Sequence, residues 1–151
     1  MHSLVRRFLK TGIGFLGVGL LIGGWMLVER ELRGVHPSPY LASAHAHAIL
    51  VGFVMMMILG VALWLFPRPD KSDERYSPRA ASAAYWLLAT GTGFRVAGEV
   101  LRIQVGSMVL RWLVIAAGLA QIVGIGLFFF TMWSRIRPVG SQLREARGER
   151  F

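Results

Sequence analysis

The sequence predicts an all-α integral membrane protein, a bundle of four transmembrane helices with both termini on the cytoplasmic side. Three observations predict it. Four apolar stretches, at about 11–29, 42–66, 80–101 and 108–133, are each near or above the ~20 residues that cross ~30 Å of hydrocarbon as a helix. Charged residues make up 17% of the chain, against about 25% in a soluble domain. Those charges lie mostly between and outside the apolar stretches. Hydrophobic residues account for 54%, and mean hydropathy is +0.52. The stretches lack period-two alternation and are too long for strands. Backbone groups in lipid must be satisfied within their own segment, so helices follow. The 151 residues therefore read as a single transmembrane domain, with 134–151 as a basic cytoplasmic tail.

Before the first stretch stand Arg6, Arg7 and Lys10. Arg6-Arg7-Phe8-Leu9-Lys10 is similar to a twin-arginine export signal but lacks the spacer after the arginine pair. No small-x-small site closes the apolar run; Ala42-Ser43-Ala44 lies too far downstream. The stretch is read as a retained helix. It carries Gly12, Gly14, Gly17, Gly19, Gly23 and Gly24. Small residues let membrane helices approach closely; the alternative is that some clear space for a flat prosthetic group.

Orientation follows from the basic residues. The amino end, the 67–79 linker (Arg68, Lys71, Arg75, Arg79) and the tail (Arg135, Arg137, Arg144, Arg147, Arg150) together hold twelve Lys and Arg. The other side holds four: Arg30, Arg33, Arg102 and Arg111. Both termini are thus expected inside, in a multi-pass protein of the inner membrane. The net charge of +9 is a topology signal facing anionic lipid headgroups. A nucleic-acid partner would want a basic face on a folded domain and is not expected. There is no cysteine, which excludes disulfides, thiolate metal sites and iron–sulfur clusters.

The second stretch opens with Ala44-His45-Ala46-His47-Ala48. It must run from outside to inside, so both histidines lie near the outer surface. Residues two apart on a regular helix point about 200° away from each other, so the two rings cannot share one metal. His45 shares a face with Gly52, Met56 and Gly60; His47 shares one with Val51, Val54 and Ile58. His36 sits in the preceding linker.

The third stretch runs outward and carries Arg95 and Glu99 one turn apart, with Arg102 at its end. The fourth starts near Arg111. Ionisable residues in membrane spans are costly and by default mark a functional site. Arg95 and Glu99 form either a structural i, i+4 ion pair or part of a ligand site. In the second case Arg95, Arg102 and Arg111 hold carboxylates, such as haem propionates, through their planar forks.

The segment His45-Ala-His47-Ala-Ile-Leu-Val-Gly52-Phe53, followed by a Met-rich run and Leu-Phe-Pro67-Arg68, resembles the second helix of the haem-copper oxidase subunit I superfamily. The resemblance is to its nitric oxide reductase and cbb-type branches and to small four-helix proteins similar to them. It implies that His47, with His45 beside it, binds a low-spin haem b near the outer leaflet. The family's later haem ligand and its copper histidines have no counterpart here, so a complete oxidase or reductase is not implied. A second axial ligand would come from His36, His45, a methionine or another subunit, and a homodimer would supply one. The reading is a membrane-bound b-type cytochrome in a respiratory or nitrogen-oxide pathway, with a redox partner protein, or a haem-based gas sensor. The alternatives are a cofactor-free structural or assembly subunit, and a copper or zinc protein using His36, His45 and His47.

Overall fold

A computed structural model describes residues 3–67, 77–136 and 147–148. Arg68, Lys71, Arg75, Arg137, Arg144 and Arg150, which weigh in the orientation count, lie outside the described residues, as does most of the basic tail. The described chain is all helical: α1 (Ser3–Arg33), α2 (Pro39–Leu65), α3 (Pro78–Leu101) and α4 (Met108–Met132), the last followed by a 3-10 turn at Trp133–Arg135.

Local chemistry sets the helix ends. α1 starts two turns before the apolar stretch because Arg6, Arg7 and Lys10 are good helix formers. It stops at Gly34, whose φ of 64° lets its N–H reach the Arg30 carbonyl at 3.2 Å, the αL form of C-cap. Ser38 caps α2 by accepting from the Leu41 N–H at 3.2 Å, and Ser77 caps α3 by accepting from Ala80 at 3.4 Å. A proline follows each, where its missing N–H costs nothing. Ser107 caps α4 by accepting from Val109.

α2 is not uniform. Its middle, His47–Met55, is nine residues of π-helix between two α segments. Such winding is rare and often marks functional sites.

Three of the four helices, α1, α2 and α4 with its final turn, are long and apolar enough to cross a membrane. α3 has the length, 24 residues, but Arg95, Glu99 and its threonines and glycines dilute its apolar character. Of the four expected spans, three are thus long and apolar enough by length and composition, and α3 is not.

Call the end holding the 34–38 and 102–107 linkers the upper end. At the lower end all four helices meet in a core built from Phe8, Met56, Leu59, Tyr85, Leu88 and Phe128. Phe8 stands edge-on to both Tyr85 and Phe128, with centroids at 5.1 and 5.9 Å. Thr11 and Tyr85 share a hydroxyl hydrogen bond of 2.8 Å. Towards the upper end the buried core thins to Ala44, Ala48 and Val96, contributed by α2 and α3, with Ile22 of α1 and Val100 packed against them.

Arg135, read from the sequence as part of the basic cytoplasmic tail, is buried at 6% exposure. Its guanidinium donates to the carbonyls of Pro67 at 2.7 Å, Phe66 at 3.0 Å and Leu63 at 3.3 Å. It thus satisfies the carbonyls that a helix C-terminus leaves open, with its charge at the negative end of the dipole.

α3 and α4 pack together as extensively as α1 and α2 do, and glycines bring them together. A Cβ on Gly91 would stand 2.9 Å from the Ala117 carbonyl oxygen, which belongs to a helix backbone and cannot step aside. Gly91→Ala is therefore expected to separate the pair and destabilise the protein by about 1–3 kcal/mol. Gly93→Ala, where nothing lies within 4 Å, should leave the melting temperature in detergent unchanged. Equal melting temperatures for the two variants would refute this packing.

Candidate functional site

A chain of polar groups crosses α2, α3 and α4 in the upper half of the bundle. It begins at Thr92, fully buried, whose hydroxyl accepts from Gln121 Nε2 at 3.0 Å. Gln121 Oε1 accepts from Arg95 Nη1 at 3.4 Å. Arg95 Nε donates to Glu99 Oε1 at 3.2 Å, and Ser43 Oγ donates to the same oxygen at 2.8 Å. The other carboxylate oxygen, Oε2, is buried without a hydrogen-bond partner, and His47 Nδ1 lies 3.8 Å from it. Glu99 is 4% exposed. Burial of this kind demands pairing, because an isolated charge in a medium of low dielectric is strongly disfavoured.

Glycine placement makes the arrangement possible. A Cβ on Gly118 would meet Arg95 Nη1 at 2.8 Å, so α4 is hollowed where the guanidinium lies.

The two histidines part to opposite sides of α2. His45 faces α1, where its Nδ1 lies 2.9 Å from the Gly19 carbonyl and its ring covers Gly23. Gly52, Met56 and Gly60 face α1 with it, meeting Phe15, Gly12 and Phe8. His47 turns to α3, with Nδ1 at 2.8 Å from the Ser43 carbonyl. A carbonyl can only accept, so in both rings Nδ1 carries the hydrogen. In the neutral ring Nε2 then carries the lone pair, and neither Nε2 has a hydrogen-bond partner among the described residues. This is the arrangement of a metal-ligating imidazole, whose far nitrogen is held by a carbonyl or carboxylate.

The other sequence-derived candidates are not gathered here. Arg102 stacks on the Tyr40 ring, 4.3 Å from its centroid, and donates to the Tyr40 hydroxyl at 3.0 Å. Arg111 is exposed in the first turn of α4. The three arginines therefore have separate surroundings rather than one shared carboxylate cradle. His36 is exposed in the 34–38 linker. Among the described residues no three His, Asp or Glu side chains converge on a possible metal position, so His36, His45 and His47 do not form the copper or zinc site weighed above.

Sequence reasoning missed Ser43, Thr92 and Gln121. Gln121 alone left a signal, as the one amide in an otherwise apolar run from Trp112 to Phe130.

The histidine end of the bundle also carries a groove of about 710 Å3 between α1, the 35–38 linker and the end of α3. Comparison with family models, with curated proteins and with solved structures finds no match.

Proposed function

We propose that this chain is a membrane-spanning b-type haem protein that carries electrons in a respiratory or nitrogen-oxide pathway, with an α2 histidine as iron ligand. The observation that carries the reading is the pair of imidazoles whose Nδ1–H is fixed by a backbone carbonyl while Nε2 stays unpartnered. The donor set fits a haem iron, which takes a neutral imidazole. His47 fits better. Its side chain is 23% exposed and can be reached from outside the bundle. Around His45 the glycine spaces are already filled, Gly19 by Ile49 and Gly52 by Phe15. The carboxylate of Glu99, 3.8 Å from His47 Nδ1, would favour the oxidised, more positive state of a bound iron. Bound there, haem supplies one-electron redox chemistry; the protein orients the ring and holds the compensating charges. A visible spectrum of the purified protein, oxidised and reduced, tests the reading; a colourless preparation from haem-replete cells would sink it and favour a cofactor-free subunit.

A second copy would supply the other axial ligand.

The bundle sits across the inner membrane with its upper end outside. All five tryptophans are more than half exposed. Trp112 and Trp133 mark the two ends of α4, roughly 31 Å apart at ~1.5 Å per residue, close to the ~30 Å hydrocarbon thickness where aromatic belts lie. Reporter fusions after Pro67 and after Phe151 should both read cytoplasmic. An external reading at Phe151 would mean that α3 or α4 does not span.

A further inference from the structure

We infer that the upper groove binds the headgroup of a lipid-soluble quinone. The inference rests on the membrane-spanning orientation above and not on the haem. The groove crosses the boundary between apolar and polar surroundings. Its walls are Ile22, Trp25 and Met26 of α1, with Val100 and Ile103 opposite; its rim carries Glu29, Arg33, His36 and Gln104. The volume of about 710 Å3 falls in the range of small-molecule sites. Trp25 is 57% exposed, so the groove is open towards lipid beside an indole on which a flat ring can stack.

The charges on the rim select the occupant. Arg33 Nη1 is paired with Glu29 Oε1 at 2.9 Å, which leaves the rim electrically neutral. A phospholipid phosphate or a porphyrin with two propionates would need an uncommitted cation there. Among the described residues, the rim groups without partners are the His36 imidazole and the Gln104 amide, both exposed. Each offers an N–H donor to one of the two opposed carbonyl oxygens of a quinone ring, while the isoprenoid tail lies along Leu21 and Trp25 in the lipid. Such a carrier would reach the site by lateral diffusion within the bilayer.

The full chain in lipid nanodiscs, with an azido-quinone as photolabel and decylubiquinone as competitor, tests this without reference to iron. Labelling should saturate, fall on residues 21–38 or 100–104, and be suppressed by the competitor. His36→Ala with Gln104→Ala should weaken it about tenfold, the effect of one to two neutral hydrogen bonds. Both positions are exposed, so folding is not at stake, and circular dichroism verifies it. Labelling elsewhere, labelling indifferent to the competitor, or no labelling with a phospholipid retained in native mass spectrometry would each overturn the inference. The Soret band and the reporter fusions report separately on haem and topology.

Discussion

His47→Ala is expected to abolish haem binding and remove the Soret band, while His45→Ala weakens binding or changes the spectrum. The asymmetry follows from where the rings lie. His47 combines an unpartnered Nε2 with an exposed flank and a carboxylate behind its Nδ1. His45 is seated on Gly23 against α1, so its removal opens a gap between two helices and shifts the angle at which α2 presents His47. Losing a ligand's supporting group typically costs 10–100-fold in metal affinity, and losing the ligand itself costs more. The measurement is haem retention after purification, read at the Soret band and in the reduced-minus-oxidised spectrum. A double variant with an unchanged Soret band would remove the basis of the haem reading.

The second large effect is expected at Arg95. Arg95→Leu leaves Glu99, its side chain 5% exposed, with Ser43 Oγ as its remaining donor and should destabilise the fold by about 3–5 kcal/mol, the range for breaking a buried pair. Glu99→Gln should cost about 1–2 kcal/mol. The amide oxygen can still accept from Arg95 and Ser43, and Arg95 keeps Gln121. Removing both charges in Arg95→Leu with Glu99→Leu should recover much of the loss, because no charge is then stranded. Thermal unfolding in detergent ranks the three variants. Haem occupancy adds a further reading: an Arg95→Leu protein with full occupancy assigns the pair to structure alone, and reduced occupancy means that a haem carboxylate shares the guanidinium. An Arg95→Leu melting temperature equal to wild type would show that the buried pair contributes nothing.

Much of this architecture was legible in local sequence. Four helices follow from four apolar runs, and the divergence of His45 and His47 follows from helix geometry. The true starts of α2 and α3, at 39 and 78 rather than 42 and 80, are written in Ser38-Pro39 and Ser77-Pro78, capping pairs that hydropathy overlooks. Partners on neighbouring helices were not legible. Nothing near Gln121 announces Arg95 and Thr92, and nothing near Arg135 announces the carbonyls at the end of α2, because both depend on which helix faces lie together. The arginines were grouped by depth alone; depth does not fix azimuth, and Arg102 found Tyr40 instead.

The π-wound middle of α2 has a consequence for how this protein can change. Ala44, Ala48, Gly52, Met56 and Gly60 are all buried, one at every fourth position. In an α-helix of ~3.6 residues per turn that series would drift about 40° per step and leave the interface; wider winding holds it on one side. The segment therefore acts as a phase shifter between two rods. Loss of one codon with the wide winding kept would rotate the histidine end by somewhat less than the ~100° of one α-helical step relative to the lower core, turning both rings to new neighbours with every functional residue still present. Over evolutionary time, length changes in this stretch would re-aim the histidines, while substitutions at the rings themselves would only delete them.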